Sequence, residues 1–318
     1  MFSSIGAREL GGASPAAFRR RAGSSVDLVK RLELQRLLEQ HTGCVNTCSF
    51  SPDGELLVTG SDDRQIIIWD WEAGTVKNSY PSGHSLNVFQ AKIMPFNAST
   101  LVTCGADGQV RVGQLSESGE VETRRLGRHA GRAHKLSIEP GSPHSFLSCG
   151  EDAVVKHFDL RTSKCSRLLS IRGVGEERGD DVGLNVVAHN KAHPVQFAAA
   201  GSDQFVRIYD LRALARGPCR LLSPRHLRGL RNRLRSRDMA HVTSVAYSSR
   251  GQLVATYNDE DIYNFAAEGA AGCEGSPVVA PASGSAEDAL GSGGAAKRRK
   301  KLDLPPPRRA GASTSRAG

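Results

Sequence analysis

The chain alternates short apolar runs with tight turns, and one such pattern recurs five times. Each copy has a turn rich in Gly and Asp, then a stretch in which apolar and polar residues alternate, as in a half-buried strand. The copies are GSDDRQIIIWDW (60–71), GADGQVRVGQL (105–115), GEDAVVKHFDL (150–160), GSDQFVRIYDL (201–211) and YNDEDIYNF (257–265). Aligned on Asp63, Asp107, Asp152, Asp203 and Asp259, they predict a repeat of about 45 residues.

Two further strand-like runs precede each copy, as in CVNTCSF (44–50) and LLVTG (56–60). They are joined by SPDGE, whose Pro, Asp and Gly favour a tight turn. Each repeat therefore predicts a small antiparallel sheet. Because such a sheet cannot bury both of its faces alone, we expect the repeats to pack side by side around an axis, as in a β-propeller.

The first copy, with His41 upstream in HTGCVNTCSFSPDG, resembles a WD repeat, and the pattern extends over residues 41–265. This resemblance implies an all-β WD-repeat β-propeller. In WD repeats the matching positions form a structural tetrad, which here implies His41, Thr59, Asp63 and Trp69. The same residues superficially offer a hydrolase set, but the sequence supplies no oxyanion hole or nucleophile elbow. No catalytic residue and no enzymatic activity are predicted.

Two consecutive repeats end in FDLR (158–161) and YDLR (209–212). With YNDEDIYNF, these motifs resemble the WD-repeat substrate receptors of cullin-4 ubiquitin ligases, the DDB-cullin-associated factors, and most closely their eighth-member branch. The resemblance implies that Asp159, Arg161, Asp210 and Arg212 contact the damaged-DNA-binding-protein adaptor of cullin-4. An arginine held by a carboxylate presents a planar donor fork to such a surface. The alternative is an ordinary salt bridge at the end of a strand.

The receptors that this chain resembles have seven repeats, whereas five are recognisable here. Two repeats of about 40 to 45 residues each are not found. We expect either a ring of five or a shortened ring with an open edge, which would invite aggregation or a partner.

The flanking segments have different compositions. Residues 1–23 are rich in Ala, Gly and Arg, and residues 266–318 in Ala, Gly, Ser and Pro, so we expect disorder in both. Between them, residues 24–40 carry leucines at helical spacing after a capping box of Ser24 and Asp27. This pattern predicts a helix leading into the first repeat.

The net charge of +9 is concentrated outside the repeats. Residues 213–238 hold eight Arg against one Asp, and residues 266–318 hold eight Lys or Arg against five acidic residues. The remainder is close to neutral. The basic character therefore describes one insertion and one tail rather than the repeats.

The arginine-rich insertion is a candidate partner-binding loop on the propeller face opposite the Asp-x-Arg turns. Leucines spaced three and four apart give it a thin apolar stripe if it is helical. An acidic protein, nucleic acid and plain solvation remain open; nucleic acid is not favoured because the loop lacks aromatic residues for stacking. Its candidate residues are Arg225, Arg228, Arg231, Arg233 and Arg235.

The tail carries a basic run that suits an acidic importin groove. We expect an importin partner and a protein of nucleus and cytoplasm. The sequence has neither a long apolar run nor a secretory signal, so no membrane partner is expected. The run consists of Lys297, Arg298, Arg299, Lys300 and Lys301.

Seven scattered cysteines predict reduced thiols rather than a disulfide framework. The spacing of His41, Cys44 and Cys48 could suggest zinc, but no second pair completes a tetrahedral site. We predict no metal and no cofactor, and expect Cys44 and Cys48, like Cys104 and Cys149, to be small core residues.

Two functional hypotheses follow. The first is a non-catalytic receptor that recruits an unknown protein substrate to cullin-4 ligases. The second is a nuclear scaffold that binds chromatin, histones or RNA through its arginine-rich loop. Only the first requires Arg161 and Arg212.

Overall fold

The computed structural model describes residues 2–12, 14, 18, 23, 25–173, 180–229, 240–266 and 276–277. The described strands form five antiparallel sheets of four strands, which we call blades 1 to 5 in chain order. All of them belong to the compact unit Met1–Val278. The sequence prediction of an all-β repeat fold is confirmed.

Each blade is a meander, in which every strand pairs with its neighbours in sequence. Blade 1 contains β1 (Val45–Phe50), β2 (Leu56–Ser61), β3 (Gln65–Asp70) and β4 (Thr75–Pro81). Blade 2 contains β5 (Val88–Met94), β6 (Asn97–Gly105), β7 (Gln109–Leu115) and β8 (Val121–Arg128). Blade 3 contains β9 (Ala133–Ile138), β10 (Ser145–Gly150), β11 (Val154–Asp159) and β12 (Lys164–Ser170). Blade 4 contains β13 (Leu184–His189), β14 (Gln196–Gly201), β15 (Val206–Asp210) and β16 (Arg220–Leu222). Blade 5 contains β17 (Val242–Tyr247), β18 (Leu253–Tyr257), β19 (Ile262–Phe265) and β20 (Ser276–Pro277).

The first strands of successive blades pack against one another, β1 on β5, β5 on β9, β9 on β13 and β13 on β17. They surround a central cavity of about 670 Å³, which all five blades line. This arrangement of sheets around an axis is that of a β-propeller.

Apolar side chains join each blade to the next. Between blades 4 and 5, for example, Ala200 and Val206 are fully buried in one cluster with Ala255 and Phe265. Equivalent clusters join blades 1 and 2, blades 2 and 3, and blades 3 and 4. Apolar burial between the sheets is therefore the main stabilising contribution.

The chain before blade 1 covers its outer face. Leu57, Ile67 and Trp69 are buried there, and Leu38 packs against them. The side chain of Arg36 lies against Gly74, in the turn between β3 and β4. The segment before His41 thus covers this face of blade 1.

Blade 5 keeps an open face among the described residues. The side chain of Ile262 is 48% exposed. At the equivalent position of each of the other four blades the apolar side chain is 0% exposed; these residues are Ile66, Val110, Val155 and Val206. Among the described residues, this side of blade 5 is therefore more exposed than the matching side of the other four blades, and the open edge stays a prediction.

The predicted helix over 24–40 is wrong for most of its length. Helix α1 spans Phe2–Glu9 and helix α2 only Val26–Val29, while residues 32–40 have no regular structure. Leu38 packs on blade 1, but Leu32, Leu34 and Leu37 are exposed, so most of the leucines have no surface to pack against, and short helices need such packing. Ser24 of the expected capping box lies outside the described residues. With one and two turns, the helices described are too short to cross a bilayer.

Three boundaries also differ from the prediction. Helix α1 lies within residues 1–23, which were expected to be disordered. Strand β20 comes from the expected disordered tail and pairs with β19, so blade 5 extends beyond residue 265. The insertion over 213–238 contains β16, the fourth strand of blade 4, so only its later part joins blades 4 and 5.

Candidate functional site: two Asp-x-Arg turns and their support

The turn after β11 holds Arg161 in a two-pronged ion pair with Asp159. The Nη2 of Arg161 donates to Oδ2 at 2.9 Å and its Nε donates to Oδ1 at 3.2 Å. The backbone N–H of Arg161 also donates to Oδ1, at 2.9 Å. The carboxylate therefore orients both the backbone and the guanidinium of this arginine.

The turn after β15 repeats this geometry in the next blade. The Nη2 and Nε of Arg212 donate to Asp210 at 2.7 and 3.0 Å, and its backbone N–H donates at 2.9 Å. Two neighbouring blades thus present an arginine in the same conformation.

The aspartates and arginines differ in exposure. The side chains of Asp159 and Asp210 are 18% and 19% exposed, whereas those of Arg161 and Arg212 are 65% and 72% exposed. Hydrogen bonds from the arginines lower the pKa of each aspartate to about 2. Both pairs are therefore ionised at neutral pH, with donor groups directed away from the carboxylate left for a partner.

Equivalent backbone contacts fix both turns. The residue between Asp and Arg is Leu160 in one turn and Leu211 in the other. Their N–H groups donate to the carbonyls of His144 and Val195 at 3.0 and 2.9 Å. His144 and Val195 lie between the first and second strands of their blades, so the two arginines emerge at the same end of the propeller.

The other end of the propeller carries the histidine network. In blade 1, Trp69 Nε1 donates to Thr59 Oγ1 at 2.9 Å, and Thr59 Oγ1 lies 2.8 Å from His41 Nε2. His41 Nδ1 lies 2.9 Å from Asp63 Oδ2. If His41 donates from Nδ1, the Thr59 hydroxyl donates to Nε2, and every buried polar group has a partner. The four residues satisfy one another as in a structural tetrad.

Sequence reasoning missed the same network in blades 2 and 3. His84 contacts Asp107 and Thr103, both at 2.9 Å. His129 contacts Asp152 at 2.8 Å and Ser148 at 2.7 Å. The signal was available, since each Asp follows its His by 22 or 23 residues in all three blades.

In blades 4 and 5, other groups contact the turn that the His–Asp pair supports in blades 1 to 3. In blade 4, Arg207 donates to both oxygens of Asp203, at 2.9 and 2.5 Å, and is almost fully buried. In blade 5, the N–H of His241 donates to Asn258 Oδ1 at 2.6 Å. The turn preceding the third strand is thus supported by different groups in different blades.

Part of the arginine-rich loop is packed on the propeller. Arg225 and Arg228 lie in a 3₁₀ helix, Arg225–Gly229, whose Leu227 is buried between blades 4 and 5. Arg225 itself is exposed. This segment joins β16 to β17, so it lies at the histidine end, opposite the Asp-x-Arg turns. Arg231, Arg233, Arg235 and the basic run Lys297, Arg298, Arg299, Lys300 and Lys301 lie outside the described residues.

The prediction of buried cysteines is confirmed for two residues and wrong for two others. Cys104 and Cys149 are fully buried, as expected, and burial raises the pKa of both thiols. Cys44 and Cys48 are exposed, so the prediction that they are core residues is wrong. Cys44 precedes β1, and a register shift between Val45 and Thr47 interrupts the regular alternation before Cys48. Within the described ranges, no three His, Cys, Asp or Glu side chains are grouped as metal ligands would be.

Comparison with known proteins agrees with this fold. Residues 32–70, which end in blade 1, match the family "WD domain, G-beta repeat". The fold, the repeat and the tetrad together are those of a WD-repeat β-propeller.

Within that class the chain is similar to the DDB1- and CUL4-associated factors. Factor 6 of Homo sapiens is 31% identical over 280 residues, covering 81% of this chain and 31% of that protein. Protein ALTERED SEED GERMINATION 2 of Arabidopsis thaliana is 30% identical over 274 residues, covering 74% of this chain and 36% of that protein. WD and tetratricopeptide repeats protein 1 of Homo sapiens is 32% identical over 200 residues, covering 62% of this chain and 29% of that protein. The chain spans about a third of the length of these relatives. The predicted assignment to the eighth-member branch stays a prediction.

Proposed function

We propose that this chain is a non-catalytic substrate receptor that docks on DDB1 and recruits a protein to a CUL4 ubiquitin ligase. The observation that carries the proposal is the matched pair of turns in blades 3 and 4. Each holds an exposed arginine by a two-pronged ion pair, Asp159 with Arg161 and Asp210 with Arg212. The similar human and mouse proteins are both named DDB1- and CUL4-associated factor 6, which supports this choice of partner.

The two turns have the properties expected of a docking surface. Their arginines are pre-organised, because each guanidinium is already held by a carboxylate, so less side-chain freedom is lost on binding. Arginine is also the cation that best forms planar, two-pronged contacts with carboxylates and carbonyls. An ordinary stabilising salt bridge does not need this exposure and would contribute little to stability.

In this proposal the chain performs no chemistry. Other subunits transfer ubiquitin, and the propeller raises the effective concentration of a substrate lysine near them. The substrate would bind away from the adaptor. The opposite end, where the buried Leu227 anchors the start of the arginine-rich loop and Arg225 is exposed, is the surface that we assign to the substrate.

Co-purification tests the proposal. We expect the tagged wild-type chain to recover DDB1 and CUL4 from cells, and the Arg161→Ala, Arg212→Ala double variant to lose both. The control is Arg250→Ala, which removes an exposed arginine from a turn at the same end of blade 5. Circular dichroism of all three proteins shows whether the blades remain folded.

Failure to recover DDB1 with a folded wild-type chain would contradict the proposal. Recovery of chromatin or RNA instead, with a steep dependence on salt, would support the nuclear scaffold. We further propose that Lys297, Arg298, Arg299, Lys300 and Lys301 bind an importin, which would place the protein in nucleus and cytoplasm. Replacing the run by alanine should shift a fluorescent fusion towards the cytoplasm.

A further inference from the structure

Three lysines converge on the central cavity from three different blades. Lys92 lies on β5, Lys135 on β9 and Lys191 in the turn after β13, and all three line the cavity. Lys92 and Lys135 are half-buried, and Lys191 is exposed. Among the described lining residues Glu139 is the one carboxylate, so positive charge is in excess.

These lysines lack the partners that half-buried cations usually have. The ion pairs of the described residues include none of the three. Burial, together with the charges of Lys135 and Lys191, lowers the pKa of Lys92 to about 8. A cluster of unpaired like charges is unfavourable unless something compensates it.

We propose that the central cavity binds a small multivalent anion bearing phosphate groups, through the ammonium groups of Lys92, Lys135 and Lys191. A volume of about 670 Å³ is ample for such a ligand. Lysine is a compact point charge that suits phosphate oxygens. An anion with more than one negative charge would offset the excess positive charge of the cavity, which the single carboxylate of Glu139 cannot do.

Polar groups beside the lysines add to the site. The N–H of His189 donates to Ser137 Oγ at 2.8 Å, and this hydroxyl lies 2.8 Å from His189 Nδ1. Burial and the charge of Lys92 lower the pKa of His189 to about 4, so the ring is neutral at neutral pH. The Ser137 hydroxyl and the neutral His189 ring are thus joined by a hydrogen bond in the cavity wall.

The position of the cavity distinguishes this site from the proposed docking turns. Pro52, Pro95 and Lys191, which line it, belong to turns between first and second strands. The cavity thus reaches the end of the propeller that carries Arg161 and Arg212, but none of its lining residues belongs to those turns. The proposal therefore does not depend on the proposed receptor function.

Calorimetric titration of the full chain with inorganic phosphate, pyrophosphate and tripolyphosphate, at about 0.15 M ionic strength, tests the proposal. We expect affinity to rise with ligand charge. Removing one charge-assisted contact by Lys92→Gln, Lys135→Gln or Lys191→Gln should weaken binding about tenfold or more. Lys164→Gln, which makes the same charge change at an exposed position of β12, should leave binding unchanged.

Either of two results would overturn the proposal. One is the absence of binding to the folded wild-type chain. The other is equal binding by the wild type and all three cavity variants, which would assign the anion to basic residues elsewhere. Because Lys191 is exposed at the cavity end, Lys191→Gln keeps the test decisive even where Lys92→Gln disturbs folding.

Discussion

Arg207 and Asp203 form a buried, two-pronged ion pair in blade 4, whereas the turn aspartates of blades 1 to 3 pair with a histidine that precedes the blade. The side chains of Arg207 and Asp203 are only 2% and 10% exposed. Replacing Arg207 by Met removes the charge and leaves the carboxylate unpaired. Breaking a buried pair in this way costs about 3 to 5 kcal/mol, so we expect a large fall in the free energy of unfolding, measured by urea denaturation.

Arg207→Lys is the informative companion, since lysine keeps the charge but not the two-pronged contact. We expect it to recover only part of the loss. A variant Arg207→Met as stable as wild type would show that the pair does not hold this blade.

The tetrad of blade 1 offers a comparison within one molecule. Thr59→Val keeps the shape of the side chain but orphans both Trp69 Nε1 and His41 Nε2. Thr103→Val in blade 2 orphans only His84 Nε2. Each orphaned buried group costs about 1 to 3 kcal/mol, so the loss at Thr59 should be roughly twice the loss at Thr103 by thermal unfolding. Equal losses would contradict this account of the network.

One face of blade 5 is open among the described residues. The same Ile→Ala substitution should therefore lower the free energy of unfolding by different amounts in blades 1 and 5. Ile66 and Ile262 occupy the same repeat position, but Ile66 is 0% and Ile262 48% exposed. Ile66→Ala should destabilise the protein by about 2 to 5 kcal/mol, as for a fully buried residue, and Ile262→Ala by clearly less. Similar values from denaturant unfolding would show that Ile262 is covered in solution.

The proposed anion site should depend on pH. The pKa of Lys92 is lowered to about 8, so this ammonium loses its proton as the pH rises through 8. Lys135, Lys191, His189 and Glu139 are the other charged or titratable groups of the described cavity wall besides Tyr247. Since phosphate itself gains negative charge over this range in either protein, the informative quantity is the ratio of the two affinities. We expect the advantage of wild type over Lys92→Gln, measured by calorimetry, to shrink between pH 7 and 9. An advantage that does not change over that range would contradict the assignment.

The sequence predicted the repeats well because they rest on local rules. Alternating side chains and turn aspartates are set by neighbours along the chain, so the strand that contains Trp69 and its counterparts were recognisable. The helix expected over 24–40 failed for the opposite reason. Leu32 and Leu37 follow a helical spacing, but they remain exposed, and no local rule reveals whether a packing surface exists.

Contacts between distant residues were harder to predict. Asp159 and Arg161 are two residues apart, so their turn could be found from the motif alone. Arg207 could not be assigned, because it pairs with the turn aspartate from the third strand of its blade, whereas the histidines of blades 1 to 3 precede the first strand. The convergence of Lys92, Lys135 and Lys191 depends on the register of three separate blades, which only the folded chain defines.

The most direct test of the receptor proposal is the affinity of the purified chain for purified DDB1, measured by biolayer interferometry. Four proteins are compared: wild type, the double variant Arg161→Ala, Arg212→Ala, the double variant Arg161→Lys, Arg212→Lys, and the control Arg250→Ala. The lysine variant keeps the charge but loses the planar fork. We predict binding by wild type and the Arg250 control, strong loss in the alanine variant and intermediate loss in the lysine variant. Undiminished binding by a folded alanine variant would contradict the account.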